Sequence, residues 1–500
     1  MSLHTTLRRF YAPEHLIKKE RFLEKPPDSV SVYRKLLEVA WPATLESVLL
    51  GLVSFVDGLM VSTVGTAAIA AVGVTNQPRL LFFAVFFAMN IGITAIVSRR
   101  KGQGDRDGAN ECLAQAVAIA LILGVVLCTV AIIVAEPLIA FAGADEDIFD
   151  DAVAYFRIIM AGMLFTSVGL AINAAQRGIG NTKISMITNI AANLTNCVFN
   201  YFLINGIWFF PALGVRGAAY ATLLGNVVSF VMSLYSVTAA KGYLHIRLRH
   251  CFHLRRGMLA LLARIGGSAG VEQVFMRIGF FAYSKMVAEL STADLSTHII
   301  CMNVINLSFT VGDGLGVAAS ALVGQNLGAK RPDLAEVYGK AAQRFGFLLS
   351  ALLVLAFSFG GSFLVSLFTT ANDEAVAYIM EKGVVIMYLI ALTSPAQISQ
   401  VIFSGCLRGA GDTVFVAVSS LVSIALVRPL LTYLFCYPLG FAVIGAWISL
   451  VVDQYLRLLF LCFRFLMLVF WSDFSPQRKK SRLKSSSRRW KRLISTTPRR

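Results

Sequence analysis

A chain of 500 residues with 57% hydrophobic and only 15% charged side chains, and a mean hydropathy of +0.70, is too apolar for water, where roughly a quarter of residues are charged. This excludes a soluble multidomain enzyme, a disordered chain and, with eight Cys in 500 residues, a disulfide scaffold. The net charge of +17 does not point to nucleic acid, because eleven of the 45 Lys and Arg crowd between Arg478 and Arg500.

The chain opens on a polar, basic segment, 1–32, with no apolar core ahead of a small-residue cleavage site, so no signal peptide is expected. Apolar runs bounded by Gly, Pro and charge predict helices near 36–62, 70–98, 112–134, 154–175, 185–205 and 216–239. A loop over 241–261 leads to helices near 262–289, 296–322, 340–367, 376–405, 414–436 and 442–470, and a Ser-rich basic tail fills 472–500. At about 20 residues per span these are twelve membrane helices. With the N-terminal segment, the tail and the flanking helix ends, the loops around Arg99–Arg106, Gln176–Lys183, Lys241–Arg256, Gly328–Asp333 and Cys406–Thr413 hold most of the 45 Lys and Arg, whereas Ala144–Asp151 and Ala371–Glu374 are acidic. The positive-inside rule then places both termini in the cytoplasm of a multi-pass protein of the cell inner (plasma) membrane. The tail is expected to be disordered and to lie on anionic lipid.

The chain also repeats itself. A displacement of 226 residues lays Pro42–Glu46 on Ser268–Glu272 and Gly102–Ala109 on Gly328–Ala335, and one of 231 lays Arg177–Thr182 on Arg408–Thr413. The fold is therefore expected to be all-α, with two six-helix bundles, 33–240 and 262–471, related by an axis along the membrane normal. Substrate belongs between them, near the midplane.

Charged groups inside such spans are costly and each is a candidate for function. Asp57, in GLVSFVDGLMV, has no basic residue within four positions. In helix 5, Asn189, Asn193, Asn196 and Asn200 share one face. Their amide oxygens with one carboxylate suit a hard cation such as sodium, and their hydrogens suit a carboxylate or a substrate; an interhelical hydrogen-bond seam is the alternative. Asp57 is expected to alternate between a protonated and an ion-bound state. Glu46, eleven residues earlier, should face the same groove nearer the cytoplasm. Its repeat mate is Glu272, while Tyr283 stands where Asp57 would fall. Each glutamate is either a gate or a partner for helix ends. Asp313, in TVGDGLG, is a further pathway candidate or a local polar contact. Asp453 and Arg457 have the spacing of a local ion pair. Arg177 and Arg408 sit in matching R-G-x-G-[ND]-T turns and read as scaffold that bonds exposed helix ends. The cysteines read as small hydrophobes, with no C-x-x-C pair, and His298 as a packing residue. His4, His15, His245, His250 and His253 fall in polar segments.

The chain resembles the multidrug and toxic compound extrusion (MATE) transporters. The resemblance is carried by WPATLESVLLGLVSFVDGLMVSTVGTAAIAAVG, GITAIVSRRKGQGDRDGA, QRGIGNTK, NCVFNYFLINGIWFFPALGVRGAAYAT, VEQVF and ALVGQNLGAKRPDLA, and runs from about Tyr33 to Trp471. It implies two bundles around a central cleft that rock between inward and outward states, driven by inward flow of protons or sodium ions. The family's helix 1 acid matches Asp57 and its helix 5 polar pair matches Asn196 and Asn200, where some members have a second acid at the latter position. Glu272 aligns with Glu46 and not with Asp57, and Ser268 replaces the usual proline. The function implied is efflux of amphipathic, often cationic organic compounds by a monomer with no cofactor. A lipid-linked oligosaccharide flippase of the same superfamily and a non-transporting scaffold are the alternatives. A membrane-embedded transferase would need clustered acids, His or metal ligands at a membrane face, which the sequence does not offer.

Overall fold

The computed structural model describes residues 12, 16–17, 19–25, 27–62, 64–207, 210–239, 242–246, 255–367 and 376–473. The expectations for His4, His15, His250, His253, Cys251, the Ala371–Glu374 loop and the basic tail beyond Asp473 fall outside these residues.

Among the described residues the chain is helical throughout. The long helices are α1 (Ser29–Ser62), α2 (Thr66–Gln103), α3 (Arg106–Ile133), α4 (Glu146–Gly178), α5 (Thr182–Asn205) and α6 (Gly214–Thr238). They continue as α7 (Arg256–Ala288), α8 (Thr292–Gly328), α9 (Pro332–Ser366), α10 (Val376–Ala410), α11 (Thr413–Cys436) and α12 (Ala442–Asp473), with a π-helical stretch, Leu421–Val427, inside α11. Each predicted run falls on one of them. The helices outrun the predictions mainly at the end with the basic loops: α1 starts at Ser29, α8 continues to Gly328 and α9 starts at Pro332. Hydropathy marks the part of a helix that lipid would cover, whereas its wet ends are set by caps. Asp105, for example, accepts from Gly108 N at 2.9 Å to start α3.

Ten of these helices are long and apolar enough to cross a membrane. The two that fall short are α5, with its row of asparagines, and α7, which carries Arg264, Glu272, Arg277 and Lys285. Phe281, Phe359, Leu430 and Leu459 are exposed on the outside, an apolar surface suited to lipid rather than water. The described cysteines are free, and Cys112, Cys301, Cys406 and Cys436 are buried.

The two halves of the chain pack alike. The pairs α1–α5, α2–α4, α3–α4, α4–α6 and α5–α6 recur as α7–α11, α8–α10, α9–α10, α10–α12 and α11–α12. Backbone detail recurs too: the left-handed turns at Gly104 (φ 73°) and Gly214 (φ 53°) return at Lys330 (φ 59°) and Ala442 (φ 46°). Between the halves, α1 meets α8, α2 meets α7 and α2 crosses α8. The crossing lies at the basic end and is backbone on backbone. A Cβ at Gly102 would stand 1.8 Å from the Gln325 carbonyl oxygen, and one at Gly328 2.1 Å from that of Arg99. These are equivalent contacts, since the 226-residue displacement exchanges Gly102 for Gly328 and Arg99 for Gln325. Midway along α8, Gly314 still lies against α1, with a Cβ there 2.5 Å from the Thr44 Cα, whereas Gly73 of α2, toward the acidic end, has nothing within 4 Å of where its Cβ would be.

The polar segment before α1 also reaches across. Leu16 and Ile17 are buried in the apolar cluster of the C-terminal half, and Lys340 Nζ donates to Leu16 O at 2.9 Å. Leu23 N donates to Asp333 at 3.3 Å, Arg21 stands 3.4 Å from Glu336, and Glu24 pairs with Arg331.

Candidate functional site

Asp57 lies half-buried on α1, nearer the acidic end than Glu46. One turn of α5 supplies its partners. Asn200 Nδ2 donates to Asp57 Oδ1 at 2.8 Å. Asn196, turned so that each polar atom meets a complementary one, donates to Oδ1 at 2.7 Å and Oδ2 at 3.1 Å, while its oxygen accepts from Thr222 N and Oγ1 of α6, both at 3.1 Å. Room for this comes from Gly225 of α6, where a Cβ would stand 3.3 Å from that of Asn196. Among the described residues Asp57 has no ion-pair partner. Two donated amide hydrogens suit the carboxylate, and turning either amide offers an oxygen to a hard cation instead.

The asparagine row does not act as one set: Asn189 bonds Glu46 and not Asp57. Asn189 Nδ2 donates to Glu46 Oε1 at 2.6 Å, and Ser185 Oγ to the same oxygen at 3.0 Å. Asn193, half-buried between the two pairs, has no hydrogen bond among those described. Because α1 and α5 run parallel, Glu46 and Asn189 have the same separation in sequence, 143, as Asp57 and Asn200. The four amides are divided between two acids by height along the helix.

Glu46 is 5% exposed and does not face an open groove. Arg177 Nη1 stands 3.4 Å from its Oε1, so this arginine bonds an acid of α1 and not a helix end. The C-terminal half repeats the arrangement: Arg408 Nη2 and Ser420 Oγ donate to Glu272 Oε1 at 2.8 and 3.1 Å, with Glu272 2% exposed. The two glutamates tie three helices each and line no open pathway in this conformation. The signal was legible, since the arginines recur in step with the glutamates.

Two further expectations are corrected. Tyr283 is fully buried, with its hydroxyl donating to Ala446 O at 3.2 Å, so its ring lines no cleft. Asp453 pairs with Arg428 of α11, not with Arg457, whose Nη2 donates to Gln454 Oε1 at 3.2 Å. Sequence reading missed Arg428, although a lone arginine in the apolar run LVSIALVRPLL was its signal. His298 packs between Tyr283 and Trp447, with ring centroids 5.2 and 5.7 Å away.

Asp313 behaves differently from these buried groups. It is exposed, and it lies eleven residues from Gly324, hence about 20° from it around α8. Gly324 packs on Ser98 of α2, so Asp313 stands on the face turned toward the other half, where exposed Asn303 and Asn306 also fall. No cluster of three or more His, Cys, Asp or Glu able to hold a metal occurs among the described residues.

The sequence model of the MatE family matches residues 42–202 and 269–434, well over half of the chain and one segment in each half. An uncharacterized transporter of Bacillus subtilis, YisQ, is 25% identical over 88% of this chain and 94% of its own length. The probable multidrug resistance protein NorM of Thermotoga maritima is 26% identical over 86% of this chain and 92% of its own. In structure, an outward-facing multidrug resistance MATE family transporter of the MOP superfamily superposes with a TM-score of 0.83 at 20% identity, covering 90% of this chain and 100% of that one.

Proposed function

The chain belongs to the MatE family of membrane transporters, and on that footing we propose that it is a secondary active antiporter that exports amphipathic, often cationic organic compounds in exchange for protons or sodium ions. One observation carries the proposal: a carboxylate within a membrane-spanning helix, Asp57, held by two amides and by no cation of the protein among the described residues. Such a group has to take up a proton or a metal cation when shielded from water. The names of relatives such as NorM of Thermotoga maritima support the substrate class, and the flippase alternative is not favoured.

In this reading the twelve helices are twelve spans, arranged as bundles 33–240 and 262–471 about an axis along the membrane normal. The basic end and both termini are cytoplasmic, in a plasma or inner membrane, and a single copy works alone. The crossing of α2 and α8 closes the cytoplasmic side, so the cleft opens outward in this conformation and leaves Asp313, Asn303 and Asn306 accessible to substrate. Inward release of the cation from Asp57 is coupled to opening of the crossing, and the empty site returns with solute bound.

The test uses reconstituted vesicles given separate proton and sodium gradients, with a fluorescent organic cation as reporter. The wild type should respond to one gradient, and Asp57→Asn should lose at least about tenfold of that response, the equivalent of about 1.4 kcal/mol. Full gradient-driven efflux by Asp57→Asn refutes the proposal.

A further inference from the structure

The C-terminal half contains a copy of the Asp57 site whose residues the transport cycle above leaves unused. The 226-residue displacement puts Tyr283 at the place of Asp57. At the ends of α4 and α10 the displacement is 231, Arg177 to Arg408, and it still holds in α5 and α11 at Asn189 and Ser420, which bond the two matching glutamates. The π-helical stretch Leu421–Val427 then adds one residue. Beyond it the displacement is 232: Gly217 of α6 approaches Leu203 as Gly445 of α12 approaches Phe435. In that register Asn196 falls on Arg428 and Asn200 on Thr432. Helices α6 and α12 match at 228 through the left-handed turns Gly214 and Ala442, which sets Asp453 where Gly225 makes room beside Asn196.

The copy is thus built from the same positions with different chemistry. Arg428 replaces one amide, Tyr283 replaces the acid, and the acid reappears as Asp453 from the neighbouring helix. Arg428 is 1% exposed and Asp453 is fully buried. Arg428 Nε donates to Asp453 Oδ2 at 3.2 Å, and Nη2 pairs with the same oxygen. The guanidinium lies 4.8 Å from the Phe280 ring centroid and 5.6 Å from that of Tyr283. Thr432, at the place of Asn200, bonds Ser449 at 2.6 Å and so faces no cation. Arg457, also buried, brings a second positive charge on α12, one turn beyond Asp453.

We infer that Arg428 is a tethered cation that permanently fills the second ion site. Its guanidinium stands where a mobile cation would bind, neutralises the acid of this half and, with Arg457, repels any competitor. The cation-to-solute ratio is then one, carried by Asp57 alone. Asp453 Oδ1 has no partner of its own, and it is the atom a mobile cation would find if Arg428 were removed.

The inference rests on the antiporter reading, and the experiment separates their failures. Full-length protein in vesicles is assayed for its ratio of coupling cation to fluorescent organic cation by balancing the two gradients, and for cation-dependent thermal stability in detergent. Arg428→Met with Asp453→Leu removes the pair without uncovering a charge; it should keep the wild-type ratio of one. Arg428→Gln uncovers Asp453 and should gain a sodium- or pH-dependent rise in melting temperature, absent from the double variant, with a ratio approaching two. If Arg428→Gln does not accumulate, the double variant decides. A folded double variant that loses gradient-driven transport while Asp57 is intact overturns the inference, as does a wild-type ratio of two. Indifference of the wild type to both gradients, or full coupling in Asp57→Asn, instead removes the antiporter reading itself.

Discussion

Glu46 and Arg177 show what a single sequence reveals about a residue and what it withholds. The acid was visible as a charge in an apolar run and the arginine as part of a Gly-rich turn, but they lie 131 residues apart. Only the repeated offsets hinted that they meet. The asparagine row was legible as a face, because helical spacing fixes direction, while the division of that face between Glu46 and Asp57 depends on the register of α1 beside α5. Glu46→Leu should cost about 3–5 kcal/mol, since it strands the Arg177 guanidinium, Ser185 and Asn189 without an acceptor. Adding Arg177→Met should recover part of that loss, and a double-mutant cycle on thermal unfolding in detergent measures the coupling. At Asp57, Asn200→Leu should weaken gradient-driven transport less than Asp57→Asn does, because Asn196 still donates to the carboxylate.

At the scale of the element, helix existence was plain from hydropathy and helix ends were not. The π-helical stretch of α11 left no mark at all: LVSIALV is an ordinary apolar run, and its widened turn lies where Ile424 O meets α7 at Gly279. Deleting Ser423 should restore the register of α5 and rotate everything beyond by about 100°. Arg428 would then leave Asp453, at a cost of about 3–5 kcal/mol for an unpaired buried charge, read as loss of monodisperse protein on size exclusion. The crossing of α2 and α8 gives a second prediction. Gly102→Leu cannot be accommodated against the Gln325 backbone, so it should hold the basic end open. Spin labels at Gln103 and Lys330 should report a longer distance in that variant than in the wild type.

For the molecule as a whole, duplication was the strongest signal in the sequence, and the matched packing of the halves follows it closely. The segment before α1, like residues 242–246 before α7, where His245 N donates to Asn110 of α3 and Arg106 donates to the Gly242 and Tyr243 carbonyls, docks on the opposite half. It ties Leu16, Arg21, Leu23 and Glu24 to α9 while α1 itself is bonded to α5, so it spans the seam between halves when the basic end is shut. Arg331→Ala with Glu336→Gln should broaden the same spin-label distance without altering Asp57. The two left-handed turns carry another consequence of duplication. The backbone path is the same in both copies but the residue is not: glycine stands at 104 and 214, lysine and alanine at the paired places, 330 and 442. A side chain held in that conformation carries a small strain, of about 1 kcal/mol at each site. Lys330→Gly or Ala442→Gly should therefore yield a hardier protein with its transport intact.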